Sequence, residues 1–156
     1  MLGEDPLIMA AVGMDFAPYK SRLEHLGLST DYILSLQNTF TAQAFITTDS
    51  DDNQITSFHP GAMNQSHQNS VSSIKERVDL GIVSPDGKEG MVNHAQEFSD
   101  SNTPFIFDPG QGLPMFEKEE LLRFLDQADY LAVNEYEAKL IEEKTGMSTN
   151  ELANMV

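Results

Sequence analysis

Four short apolar runs do the most to limit what this chain can fold into. They occupy residues 7–13, 80–84, 104–108 and 130–134, and none of them alternates cleanly between apolar and polar residues. Continuous apolar runs of this length are typical of strands that are buried on both faces, as in a parallel sheet. The sequence therefore predicts four buried parallel strands.

Segments with helical spacing lie between these runs. They cover residues 15–26, 117–128 and 135–145, and Gly146 is placed to end the last of them. In the first segment the apolar stripe consists of Phe16, Tyr19, Leu23 and Leu26. Strands that alternate with helices predict an α/β fold with a mostly parallel central sheet flanked by helices.

Residues 39–60 depart from this alternation. They form two arms of alternating character around a polar turn, with no helical segment between them, so we predict an antiparallel β-hairpin. Asp49, Asp51 and Asn53 in the turn imitate the start of a calcium-binding EF-hand loop. Gln54 stands where that loop requires glycine, which favours a solvated turn. A hairpin in such a chain serves as a lid over a site or as a contact in a homodimer.

Composition excludes several classes of partner and site. The formal net charge of -16 argues against a nucleic-acid surface and against an anionic membrane surface. The absence of cysteine removes disulfides, thiolate metal sites and cysteine nucleophiles. No apolar run approaches the roughly 20 residues of a membrane span. We therefore expect a cytoplasmic protein.

Polar side chains follow three of the predicted strands. Asp86, Asp108 and Asn134 come at or just after the ends of the second, third and fourth runs, and Glu137 follows three residues after Asn134. In open α/β sheets ligands bind beyond the carboxyl ends of the strands, so these residues predict a small-molecule site. Taken alone, Asn134 is better explained as a helix N-cap, and Glu137 as a favourable acid in the first turn.

Other nucleotide-binding motifs are absent. Met115 stands where a dinucleotide-binding G-x-G-x-x-G would need its third glycine after Gly110 and Gly112, and no P-loop occurs. The four histidines are scattered without the spacing of metal ligands.

The segment VNEYEAKL at residues 133–140 resembles the N-x-x-E motif of the ribokinase-type, or pfkB, family of carbohydrate and nucleoside kinases. Three further segments resemble that family in the same order: VGMDFAPYKSRLEHLGLSTDYI, FTAQAFITTDSDDNQITSFHPGA and PFIFDPGQGLPMF. One departure is Met63, since the family often has asparagine after P-G-A. The likeness covers the whole chain and is strongest to bacterial adenosine kinase-like members.

The resemblance implies an ATP-dependent kinase that phosphorylates a hydroxymethyl group of a sugar or nucleoside, with adenosine or a ribose-like sugar as the acceptor. It implies that Asn134 and Glu137 hold Mg²⁺, with Asn134 also next to the nucleotide, and that residues 39–60 form the lid. Within the lid, alternation places Thr41, Gln43 and Phe45 on one face, and we expect these residues and Asp108 to contact the substrate. The alternative is that this face of the hairpin packs on its own sheet or on a second subunit.

The resemblance also implies that residues 1–156 are a partial ribokinase-like domain, incomplete at both ends. Ser148 and Glu151 have the spacing of a capping box, which predicts a further helix close to the last residue. The family's G-x-G-D motif, which carries the catalytic base, does not occur here. We therefore expect this chain to lack a catalytic residue and to be inactive alone. The alternative is a non-catalytic, acidic, flavodoxin-like binding domain.

Overall fold

All four apolar runs form β-strands in the computed structural model, which describes residues 6–152. The chain divides between Asn69 and Ser70 into two compact units. Each unit contains a parallel sheet with at least one helix packed on it, as the α/β prediction requires. No helix within residues 6–152 is both long enough and apolar enough to cross a membrane.

The first unit begins with strand β1 (Ala10–Val12), helix α1 (Ala17–His25) and strand β2 (Ile33–Ser35). β1 and β2 pair in parallel, and α1 is the connection between them. The small core of this unit consists of Val12, Phe16 and Leu23, with Ile8, Leu28 and Ile33 packed around them.

The apolar stripe predicted for α1 is wrong in part. Phe16 and Leu23 are buried, whereas Tyr19 is 58% exposed and Leu26 is 56% exposed. A sheet of two short strands offers a narrow surface, so the helix buries fewer side chains than its sequence spacing suggests.

The predicted hairpin is confirmed as strands β3 (Gln43–Thr48) and β4 (Gln54–His59), which pair antiparallel with Gln43 opposite His59. One Asp49 carboxylate oxygen accepts hydrogen bonds from the amides of Asp51 and Asn53, each at 2.9 Å. The other accepts from Asn53 Nδ2 at 2.9 Å. The hydrogen bonds from Asn53 and then Asp51 lower the pKa of Asp49. The turn is thus closed by its own hydrogen bonds. A 3₁₀ helix, Gly61–Gln68, follows.

The second unit carries the larger sheet. Its strands are β5 (Gly81–Val83), β6 (Phe105–Phe107) and β7 (Tyr130–Leu131), paired in parallel in that order. Its helices are α2 (Lys88–Asp100), α3 (Lys118–Gln127), α4 (Glu135–Thr145) and α5 (Thr149–Leu152), together with 3₁₀ turns at Val71–Ser73 and Gly110–Met115.

The two faces of the β5–β6–β7 sheet differ in burial. Val83, Phe105 and Phe107 point to the covered face and are at most 3% exposed. Ile82 and Tyr130 occupy the opposite face on either side of Ile106, and they are 61% and 57% exposed. The prediction of parallel strands is confirmed. The prediction that they are buried on both faces is wrong for β5 and β7, whereas Ala11 and Val12, on opposite faces of β1, are both buried.

Aromatic rings form the core of the second unit. Phe107 stacks on Phe124 of α3 with ring centroids 4.3 Å apart, and Phe116 meets Phe124 edge-on at 5.0 Å. Phe98 of α2 stacks on Phe105 at 5.7 Å. These contacts fix α2 and α3 against β6 and hold the carboxyl ends of the strands in place.

Candidate functional site

The carboxyl ends of β5, β6 and β7 lie at one edge of their sheet because the three strands are parallel. Asp86, Asp108 and Asn134 follow these three ends, as the sequence predicts. Asp108 is half-buried, and its amide donates to the carbonyl of Val83 at 2.9 Å, which extends the β5–β6 pairing. Asp86 accepts a hydrogen bond from the amide of Gly87 at 2.7 Å.

The turn after β6 packs closely on the turn after β5. Gly110 has φ +43°, and a Cβ atom at this position would lie 2.7 Å from Cγ of Pro85. Two independent features therefore require glycine at position 110: its positive φ angle and the lack of space for a Cβ atom. Lys144 of α4 fixes the same loop from the other side, since its Nζ donates to the carbonyl of Phe116 at 2.7 Å. It also lies 3.4 Å from the carbonyls of Leu113 and Pro114.

Asn134 and Glu137 bind each other across the first turn of α4. Asn134 Oδ1 accepts from the amide of Glu137 at 2.9 Å. The Glu137 carboxylate accepts from the Asn134 amide at 3.0 Å and from Asn134 Nδ2 at 2.8 Å. This is a reciprocal capping box, so the helix-cap interpretation holds, and the cap fixes where both side chains point.

The donor set of this pair suits Mg²⁺ held through water. Three or more acidic or histidine side chains do not gather into a metal-holding group within the described part of the chain. Mg²⁺ usually keeps several waters and takes only one or two protein carboxylates, so such a group is not required. The two Glu137 oxygens have about four lone-pair positions, and the cap uses two of them. The remaining positions can accept hydrogen bonds from water bound to a metal.

Two of the three substrate residues predicted in the hairpin, Thr41 and Gln43, converge on Asp15 in the first unit. Asp15 Oδ1 accepts from the amide and from the hydroxyl of Thr41, both at 2.8 Å. Asp15 Oδ2 accepts from Gln43 Nε2 at 3.2 Å. The backbone and hydroxyl hydrogen bonds of Thr41 lower the pKa of Asp15, so the carboxylate is ionised at neutral pH. Asp15 is a functional candidate that no sequence pattern marks by itself, although it lies in VGMDFAPYKSRLEHLGLSTDYI, one of the segments that resemble the family.

Phe45 lies on the same face of β3 as Gln43 and is 61% exposed. An exposed phenylalanine side chain beside a polar amide offers an apolar surface for a flat ligand or for a protein partner.

Comparison with known proteins places the chain in a family. The model of the pfkB family carbohydrate kinases matches residues 1–156. A nucleoside kinase of Methanothermobacter thermautotrophicus is 30% identical over 159 aligned residues, which cover 99% of this chain and 51% of that protein.

Solved structures agree with this assignment. The Burkholderia thailandensis nucleoside kinase in complex with inosine is 52% identical and has a TM-score of 0.96, with 99% of this chain and 52% of that chain covered. The same protein in complex with ADP-inosine gives a TM-score of 0.93. A Methanocaldococcus jannaschii nucleoside kinase, an archaeal member of the ribokinase family, gives 0.87 at 25% identity, with 99% of this chain and 52% of that chain covered. The ribokinase-like fold is confirmed, and the flavodoxin-like alternative is wrong. The chain spans about half the length of these relatives.

Proposed function

Because the chain belongs to the pfkB family of carbohydrate kinases, we propose that it supplies part of an ATP-dependent kinase that phosphorylates the hydroxymethyl group of a nucleoside. The observation that supports this most is the 52% identity to a nucleoside kinase whose structure contains inosine. A purine nucleoside, adenosine or inosine, is the acceptor that we propose, in place of a free sugar. An ATP-consuming reaction is consistent with the cytoplasmic location expected from the sequence.

Asn134 and Glu137 are the proposed metal site. When bound, Mg²⁺ would supply positive charge that offsets the phosphates during transfer. The capping box orients the Glu137 carboxylate, whose unused lone pairs can accept hydrogen bonds from water bound to the metal. The N-terminus of α4 adds the positive end of the helix dipole, which favours phosphate at the same place.

Gln43, Phe45, Thr41 and Asp108 are the proposed nucleoside contacts. Gln43 donates to Asp15 through Nε2, which leaves Oε1 as an acceptor for a ligand hydroxyl. The Phe45 ring is exposed and can cover a base or sugar. Thr41 contributes through the Asp15 network, and Asp108 through its place after β6.

A phosphoryl-transfer assay tests the activity. We expect the protein, at whatever length its gene encodes, to form ADP from ATP in a reaction that requires both Mg²⁺ and inosine or adenosine. Residues 1–156 alone should bind a nucleoside weakly and transfer nothing, because they contain no G-x-G-D motif. Absence of nucleoside-dependent ADP formation by the gene's complete product would contradict the proposal.

Paramagnetic Mn²⁺, which can replace Mg²⁺ at oxygen sites, tests the metal site without any turnover. In residues 1–156 it should broaden the amide NMR signals of the first turn of α4. Glu137→Gln should abolish this broadening. The matched control is Glu119→Gln, which removes a first-turn acid from α3. Equal broadening in both variants would show that Glu137 does not hold the metal.

The role of Phe45 can be separated from that of the hairpin in general. Phe58 is exposed to a similar degree, 52% against 61%, and lies on the opposite face of the hairpin. Phe45→Ala should weaken inosine binding in an NMR titration, whereas Phe58→Ala should not. If Phe45→Ala instead changes only the sedimentation coefficient, this face packs on a second copy, and the hairpin serves a homodimer.

A further inference from the structure

The body of the hairpin is exposed on both faces. Every residue of β3 and β4 is exposed, including four large apolar side chains: Phe45, Ile46, Ile55 and Phe58. Within the first unit, side-chain packing along the strands therefore contributes little to the direction in which the hairpin points. The direction of the hairpin is therefore set where it joins the rest of the unit, at residues 39–43, which we name the hairpin root.

The hairpin root is tied to the turn that follows β1. The amide of Met14 donates to the carbonyl of Thr39 at 3.0 Å, and the amide of Gly13 donates to Thr41 Oγ1 at 3.0 Å. Because that hydroxyl accepts from Gly13, its own proton is available to Asp15 Oδ1 at 2.8 Å. Gly13, Thr41 and Asp15 thus form one continuous chain of hydrogen bonds.

The turn after β1 and the hairpin root lie so close together that no side chain fits between their backbones at Gly13. A Cβ atom on Gly13 would lie 2.3 Å from the carbonyl carbon of Phe40. The carbonyl of Phe40 in turn accepts from the amide of Ala62 at 2.8 Å, which joins the start of the hairpin to the residues after its end. Asp15 is the one charged side chain in these contacts, and its carboxylate takes three of the hydrogen bonds.

We infer that Asp15 is a positioning residue that fixes the angle of the hairpin by holding its root at Thr41 and Gln43. Hydrogen bonds to a charged group are stronger than neutral ones, so an ionised Asp15 holds the root more firmly than an amide would. The lowered pKa of Asp15 agrees with this, since Thr41 stabilises the charged form. The consequence for ligand binding, that Asp15 presents Gln43 and Phe45 to a nucleoside, rests on the proposed function.

The chain contains no cysteine, so spin labels can be attached at two introduced cysteines alone. The distance between the two labels reports the angle of the hairpin. We place one label at the tip of the hairpin by Ser50→Cys and one on α1 by Ser21→Cys, both at exposed positions of the first unit. Double electron–electron resonance on residues 1–156, without any ligand, then gives the distribution of distances between them. The expected result for unchanged Asp15 is a single narrow peak.

Asp15→Ala should cause the loss of that narrow peak, while circular dichroism shows that the fold remains. Asp15→Asn keeps one acceptor oxygen for Thr41 and should restore the peak in part. The matched control is Asp31→Ala, an exposed aspartate of the same unit. An unchanged distribution in Asp15→Ala would overturn the inference.

Two further measurements keep the test decisive. If Asp15→Ala does not fold, Thr41→Val retains side-chain volume but removes the hydroxyl bridge, and an unchanged narrow peak in this variant would likewise overturn the inference. In a nucleoside titration, Asp15→Ala should bind inosine roughly 3- to 10-fold more weakly, the loss expected for about one hydrogen bond. If the gene's complete product forms no ADP in a nucleoside-dependent reaction, the proposed function fails, and the spin-label result still decides the role of Asp15.

Discussion

At the scale of single residues, the same side chains serve structure and chemistry together. Asn134 and Glu137 cap α4, and that cap orients the Glu137 carboxylate while using only two of its lone-pair positions. Asp15 likewise has two roles, since its hydrogen bonds order the hairpin root and also orient the Gln43 side chain. Removing such a residue should therefore change both the free energy of unfolding and the affinity for a ligand. A conservative variant that keeps the structural hydrogen bond separates the two effects.

The cap gives the first prediction. Asn134→Ala should lower the free energy of unfolding by about 1 kcal/mol, because it leaves the amide of Glu137 without its acceptor. Asn134→Ser should cost less, because serine is also a good N-cap residue. Urea unfolding followed by circular dichroism measures both. An equal loss of unfolding free energy in the two variants would mean that the Asn134 side chain stabilises the fold by something other than capping α4.

Gly81 gives the second prediction, which concerns packing. A Cβ atom there would lie 2.4 Å from Cζ of Phe98, whose ring is 6% exposed and stacked on Phe105. Gly81→Ala should therefore cost about 1–3 kcal/mol through overpacking. Phe98→Leu makes room for the added methyl group, so the double variant should be more stable than the sum of the two losses predicts. Strict additivity in urea unfolding would contradict this contact.

At the scale of elements, sequence patterns succeeded where boundaries are chemically marked. Helix α4 begins after Asn134 and ends at Gly146, whose φ of +79° suits glycine, so both of its ends were predicted correctly. The hairpin was predicted from its alternation and its polar turn.

Two elements lacked such marks. Helix α2 begins after a glycine without a side-chain cap, and its buried face contains Gly90 and Ala95, which give a weak apolar pattern. Strand β2 has only three residues, too few to show any period. These two elements were not identified from the sequence.

Lys144 links two elements and gives the third prediction. Its Nζ donates to the carbonyl of Phe116, so Lys144→Met leaves the loop after β6 without its charged donor. We expect a loss of about 1.5–3 kcal/mol in the free energy of unfolding and faster amide hydrogen exchange in residues 110–116. Lys139→Met removes the same charge from an exposed position of the same helix and is the control. Equal exchange rates of residues 110–116 in the two variants would show that the hydrogen bond from Lys144 to Phe116 does not order the loop.

At the scale of the whole molecule, the sequence predicted the fold class and the strand ends but not the pairing across long separations. The side chains of Asp15 and Thr41 are 26 positions apart, and nothing local shows that they meet. The exposure of Ile82 and Tyr130 also depends on what covers a sheet face, which strand patterns do not contain. Apolar periodicity and turn residues are local signals in the sequence. Contacts between distant residues and the exposure of a sheet face arise only when each unit has folded.

Acid should loosen particular parts of the molecule first. Hydrogen bonds lower the pKa of four carboxylates that are exposed or half-buried, and these hold the hairpin root, the hairpin turn and the start of α5: Asp15, Asp49, Glu142 and Glu151. A carboxylate whose pKa is lower in the folded state stabilises the fold at pH values above its ordinary pKa of about 4. That contribution is lost as the pH falls through the lowered value. The aromatic rings that pack in the core of the second unit do not titrate.

The last prediction follows from that placement. Between pH 7 and about pH 4 the amide NMR signals of Thr41, Asn53 and Thr149 should hold their folded positions, because the carboxylates stay ionised below their ordinary pKa of about 4. At lower pH these signals should move before those of Phe107 and Phe124, which depend on ring packing. Asp49→Asn should remove the acid-induced shift at Asn53 and leave the shift at Thr149, since Thr149 depends on Glu142. Simultaneous movement of all five signals would mean that acid unfolds the chain as one cooperative unit.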